Sequence, residues 1–132
     1  MVEKRARKTI LVVDDEPQNI RILREILKGE YRVVAATDGA MALSLAESQL
    51  PDLIMLDIVM PDLDGFEVLR RLRSRTRTAA VPVVFVTSKG EISEKMDGYE
   101  SGASDYVTKP LDPAFVTSVV HRLLAGRPNG GA

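Results

Sequence analysis

Four short apolar runs end in residues of the kinds that handle phosphate or metal. Ile10–Val13 runs into Asp14-Asp15-Glu16, Leu53–Leu56 into Asp57, Val81–Val86 into Thr87-Ser88, and Asp105–Thr108 into Lys109-Pro110. Taken singly, each has a structural explanation. Asp15 reads as a cap for a helix starting near Pro17, and Asp57 as a turn acid before a proline-containing loop. Thr87 is a common strand-end residue and Lys109 a common exposed one. Taken together, they offer chemistry. Asp14, Asp15 and Asp57, brought within a few Å, repel one another and raise one another's pKa. A hard divalent cation with oxygen ligands relieves that repulsion, and a site this open suits Mg²⁺ keeping several of its waters. A positive charge from Lys109 and a hydroxyl from Thr87 complete the surroundings in which a phosphoryl group is held in transit.

That convergence requires the runs to be neighbouring strands. Thr9–Val13, Arg32–Ala36, Leu53–Leu56, Val81–Val86 and Asp105–Thr108 are too short for helices and β-branched where strongest. Near-continuous apolar runs such as Ile10–Val13 suit strands covered on both faces, as in a parallel sheet. The stretches between them carry helical period. Ile20, Leu23 and Leu27, with Ile22 and Ile26 beside them, follow Pro17; Ala42, Leu45 and Ala46 follow Asp38-Gly39; Phe66, Leu69 and Leu72 follow Asp64-Gly65. A weaker fourth helix is sketched by Ile92, Met96 and Tyr99 between Gly90 and Gly98. A fifth, capped by Asp112-Pro113 and closed by Gly126, presents Phe115/Val116, Val119/Val120 and Leu123/Leu124. Strict alternation predicts a doubly wound α/β sandwich, (βα)5, with right-handed crossovers. In strand order 2-1-3-4-5 the first and third strands are neighbours, and ligands sit beyond the C-terminal strand ends at that switch point.

Composition narrows the class. The chain has 132 residues with 45% hydrophobic and 28% charged, the size of one domain able to hold a core unaided. With no cysteine, a disulfide scaffold, a zinc ribbon, an iron–sulfur site and a thiol nucleophile are excluded. Eighteen basic and nineteen acidic residues argue against a duplex-coating or membrane-surface protein. No apolar run approaches a membrane span, and the basic start is not followed by a signal-peptide core. The reading is a cytoplasmic domain over 9–125, a charged tail over 1–8, and a flexible tail or linker stub over 126–132.

Four segments carry a resemblance over nearly the whole of 9–125: Ile10-Leu-Val-Val-Asp-Asp-Glu16, Leu56-Asp-Ile-Val-Met-Pro-Asp-Leu-Asp-Gly65, Val84-Phe-Val-Thr-Ser88 and Gly102-Ala-Ser-Asp-Tyr-Val-Thr-Lys-Pro110. The chain resembles the receiver domain of bacterial two-component response regulators, a flavodoxin-like fold. The resemblance implies that Asp57 accepts a phosphoryl group from a histidine kinase or phosphotransfer protein. It implies Mg²⁺ held by Asp15 directly, Asp14 chiefly through water, Asp57, and the Val59 carbonyl. Thr87 would hydrogen-bond the phosphoryl oxygens and Lys109 pair with them, while Tyr106 matches an aromatic that swings inward with Thr87. Lys109-Pro110 matches a peptide bond that is cis in the family. The implied product is a regulatory switch with slow autodephosphorylation, not an enzyme acting on other substrates. Its output or homodimer surface would be the face made by the fourth helix, the fifth strand and the last helix.

Two rivals share parts of this picture. An aspartyl-phosphate phosphatase would want Asp-x-Asp after the first strand, where Asp14 and Asp15 are adjacent. A flavodoxin-like cofactor protein would want a Ser/Thr/Gly phosphate loop there, and no G-x-G-x-x-G is present. A receiver excised from a larger regulator, with a cyclic-dinucleotide enzyme, hybrid kinase or DNA-binding output, stays open. Val59 and Lys89 are either exposed loop residues or neighbours of a hydrolytic water. Arg70, Arg71, Arg73, Arg75 and Arg77 lack interleaved aromatics and read as a solvated helix end without direct nucleic-acid contact. His121 has no partner at metal spacing and reads as a surface or half-buried residue.

Overall fold

The computed structural model describes residues 7–88 and 102–125. Five strands alternate with helices: β1 (Thr9–Val13), α1 (Pro17–Leu27), β2 (Arg32–Ala36), α2 (Gly39–Gln49), β3 (Leu53–Asp57), α3 (Gly65–Arg73), β4 (Val83–Thr87), β5 (Asp105–Thr108) and α4 (Pro113–Leu124). The helix predicted around Ile92, Met96 and Tyr99 lies outside the described residues. Among the described residues there are four of the five predicted helices. All pairings are parallel and the order is β2-β1-β3-β4-β5.

Alternation of side chains across the sheet divides the core in two. On one face Ile10, Val12, Leu53, Met55, Val84, Val86 and Val107 pack against α1 and α4. On the other, Leu11, Val13, Ile54, Leu56, Val83, Phe85 and Tyr106 pack against α2 and α3. The chain moves from β1 outward to β2, then back across β1 to β3. With right-handed connections, that reversal puts α1 and α2 on opposite faces and leaves the strand ends of β1 and β3 open between them.

The helices sit somewhat differently from their predicted stripes. In α2 Leu43 joins Ala42 and Ala46 in the core while Leu45 is only half-buried; in α3 Val68 takes the place foreseen for Phe66. Ile22 and Phe115 point outward, at 44% and 47% exposure. Two caps also differ. The residue before α1 is Glu16, not Asp15, and neither Glu16 nor Asp112 makes a side-chain cap; a proline in the first turn of each helix removes a donor that would need one. Asp38 and Asp64 do cap, accepting from the amides of Met41 and Glu67. No helix among the described residues is long and apolar enough to cross a membrane.

Candidate functional site

Sheet register assembles the site. Val13 pairs with Leu56, so the next residues, Asp14 and Asp57, emerge side by side from β1 and β3. Asp57 pairs with Val86, which sets Thr87 one step beyond it on β4, and Thr87 pairs with Thr108. The ladder runs one bond past β5, from the Lys109 amide to the Thr87 carbonyl at 2.7 Å, and the Lys109–Pro110 bond is cis.

One carboxylate oxygen from each of Asp14, Asp15 and Asp57 lies within 4.8 Å of the other two. Asp14 and Asp57 are buried and Asp15 is exposed. Lys109 Nζ stands 3.4 Å from Asp14 Oδ2 and 3.6 Å from Asp57 Oδ1, an ammonium shared between two acids. Burial acts to lower the pKa of Lys109. The charges of Asp57, Asp14 and Glu16 and the hydrogen bond to Asp14 outweigh it, so the net shift is upward. Asp14 is aimed by the Glu16 amide, which donates to Oδ1 at 2.9 Å. Its buried Oδ2 is held only loosely, by the Lys109 ammonium at 3.4 Å, and with two more carboxylates at hand the donor set fits a hard divalent cation.

Thr87 is fully buried and its hydroxyl donates to the Ser88 carbonyl at 3.3 Å. Tyr106 lies inward, 5% exposed, its ring 5.8 Å from that of Phe85; Phe66 meets Phe85 edge-on at 5.2 Å. Val59 is 56% exposed between buried Ile58 and Met60, in the loop that leaves Asp57. That loop closes where the Gly65 amide donates to the Ile58 carbonyl at 2.8 Å. Lys89 lies outside the described residues.

Several residues that shape the site were not picked out from sequence. A Cβ on Gly65 would fall 2.5 Å from the Asp57 carbonyl oxygen and 2.8 Å from the Ile58 Cα, so only glycine lets α3 begin against the end of β3. The Asp64-Gly65 pair signalled a helix start, with no hint of this approach. The arginine stretch is partly structural. Arg73 donates to the carbonyls of Val81 at 2.7 Å and Gly102 at 2.9 Å, tying α3 to the approaches of β4 and β5, and burial lowers its pKa. Arg70 and Arg71 pair with Glu67, whose carboxyl is pulled down to about 2 chiefly by those hydrogen bonds. His121 is exposed on α4, 2.9 Å from Glu30.

Comparison with known proteins agrees with this geometry. The chain is 44% identical to the response regulator PleD of Caulobacter vibrioides over 115 residues, 86% of the chain but 25% of PleD, so it spans a quarter of that relative's length. It is 39% identical to the protein PilH of Pseudomonas aeruginosa over 118 residues, covering 89% of the chain and 98% of PilH. The crystal structure of the receiver domain of a Pseudomonas aeruginosa sensor histidine kinase, with a magnesium ion coordinated in its active-site cleft, superposes with TM-score 0.84 at 30% identity, covering 92% of this chain and all of that one. Residues 10–121 match the family model of the response regulator receiver domain, and the chain belongs to that family of two-component signalling modules.

Proposed function

We propose that this chain accepts a phosphoryl group on Asp57 from the phosphohistidine of a sensor histidine kinase or phosphotransfer protein, and that the acyl phosphate switches its output. The observation that carries the reading is the position of Lys109 between Asp14 and Asp57 at an edge where three carboxylates meet. A carboxylate oxygen of Asp57 forms the new P–O bond as the P–N bond to the donor imidazole breaks, the imidazole leaving with the electron pair. Lys109 is poised to move its ammonium from the carboxylates to a phosphoryl oxygen. Asp14, Asp15, Asp57 and the Val59 carbonyl would hold Mg²⁺, which when bound offsets charge on the phosphoryl oxygens. The magnesium in the related kinase receiver supports the same ion here.

Phosphorylation draws Thr87 from Ser88 to a phosphoryl oxygen and selects the conformer in which Tyr106 is turned inward with it, the position its ring already holds against Phe85, so one of two conformers is stabilised. Attack of water on phosphorus later breaks the bond between phosphorus and the Asp57 oxygen, releasing inorganic phosphate and slowly restoring the carboxylate. The same reading assigns a non-enzymatic regulatory role, a cytoplasmic location, no direct nucleic-acid contact and a module bounded at 9 and 125. It also assigns the output or homodimer surface to the face flanked by β5 and α4, whose segment 89–101 lies outside the described residues. Work within a larger regulator accords with the quarter of PleD that the chain spans. Incubation with acetyl phosphate and Mg²⁺ should add one phosphoryl group that hydroxylamine removes. Rapid turnover without accumulation would favour a phosphatase, and no incorporation would refute the reading.

A further inference from the structure

The loop from β3 to α3 is seated against an element on another crossover. Gly39, the buried first residue of α2, has no side chain where a Cβ would lie 2.8 Å from Leu63 Cβ, 2.9 Å from Val68 Cγ2 and 3.0 Å from Leu63 Cδ2. Leu63 and Val68 therefore occupy the space that any other residue at position 39 would need. The two differ in their ability to retreat. Val68 is β-branched, fully buried and fixed within α3. Leu63 is half-buried in the loop, directly after Asp62, whose backbone is left-handed at φ 69°. An added methyl group thus displaces Leu63.

That displacement has a short path to the site. The Leu63 amide donates to the Pro61 carbonyl at 2.8 Å, and the Gly65 amide to the Ile58 carbonyl at 2.8 Å, so the loop is drawn tight between Asp57 and Leu63. Ile58 and Met60 are buried beneath it, leaving exposed Val59 at its crest. A tight loop passes a shift at one end to the other.

We propose that Gly39 is a positioning residue for the metal-binding loop: its missing side chain seats Leu63, and through Leu63 sets where the Val59 carbonyl is presented beside Asp57. The proposal rests on the assignment of Mg²⁺ to Asp14, Asp15, Asp57 and Val59. Two measurements on Gly39→Ala test it. In the metal-free protein, amide chemical-shift changes should concentrate in residues 58–64. In a Mg²⁺ titration, affinity should fall at least fivefold, whereas Val120→Ala, a core truncation on the opposite sheet face, should lower the melting temperature without changing affinity. With Leu63 already cut to Ala, the same glycine substitution should add little further loss. Undisturbed 58–64 amides, or fully additive losses in the double variant, would overturn the proposal. A parent protein that ignores Mg²⁺ would refute the metal assignment instead, and the 58–64 amide shifts would then decide alone whether Gly39 seats the loop. If Gly39→Ala does not fold, Leu63→Ala by itself should reproduce the affinity loss, and unchanged affinity there would equally overturn the proposal.

Discussion

Gly65→Ala is the smallest change that reaches the acceptor through the backbone. The new methyl would sit 2.5 Å from the Asp57 carbonyl oxygen, where close carbon–oxygen contacts start at about 3.3 Å. Relief requires about 0.8 Å of movement, and both neighbours are main-chain atoms of a buried segment that cannot rotate away. Overpacking of this kind costs about 1–3 kcal/mol. Against it stands the helix propensity of alanine, at most about 1 kcal/mol over glycine. With the full offset the net loss is about 0–2 kcal/mol, up to roughly 10 °C in melting temperature for a domain of this size. The second consequence is chemical. Asp57 moves with its own carbonyl, and misplacement approaching 1 Å can slow a positioned reaction by about 10²-fold. Urea melts and acetyl phosphate incorporation on the same sample read both effects. A variant as stable as the parent and phosphorylated at the same rate would show that α3 does not rest on the acceptor strand as described.

Lys109→Met leaves Asp14 and Asp57 facing each other without a cation. The metal-free protein should lose about 1–3 kcal/mol, less than for a fully buried pair, and Mg²⁺ should restore more of its stability than it adds to the parent; equal Mg²⁺ increments in denaturant melts would contradict this. Arg73→Lys keeps the charge and loses the fork that reaches both Val81 and Gly102, so urea melts should show destabilisation by about 1 kcal/mol; parent-like stability would mean the carbonyls are satisfied otherwise. The Glu67 carboxyl is depressed to about 2, so its contribution is present above about pH 4.5 and is lost as pH falls toward 2. Glu67→Gln should flatten that part of the acid-stability profile, and an unchanged profile would remove Glu67 from the account. Lys109 has the opposite sign: its raised pKa contributes stability below the ordinary lysine value of 10.5, lost as pH rises through the shifted one, and Lys109→Met should abolish that alkaline loss.

Much of this architecture was legible from short-range pattern. The bounds of β1, β2 and β5 coincide with the predicted runs; β3 and β4 extend one residue further, to Asp57 and Thr87, because the ladder continues to the chemical edge, while β4 begins at Val83, two residues after the predicted Val81. The convergence of Asp14 and Asp57 followed from strand order alone. Helix faces were less legible where apolar residues are not confined to one side. In α2 Ala42, Leu43, Leu45 and Ala46 leave the orientation to be settled by packing, and in α3 Phe66 stays only partly buried, packed edge-on against buried Phe85 while Val68 takes the inner position. Asp15 looked like a cap because acids before Pro17 usually are; its neighbour Asp14 instead turns to the Glu16 amide. The close approaches at Gly39 and Gly65 were invisible for a different reason. Each depends on what folding brings against an absent side chain, and Gly39 meets Leu63, 24 positions away, which no local pattern encodes.

The central claim is that Asp57 is the atom source for the new bond to phosphorus. Mass mapping of the chain after treatment with acetyl phosphate and Mg²⁺, with borohydride trapping of the acyl phosphate, tests it directly. One modification should appear, confined to the peptide containing Asp57, and Asp57→Asn should abolish it while leaving the fold intact. Modification at Asp14 or Asp15 in the parent, or undiminished incorporation in Asp57→Asn, would contradict the account.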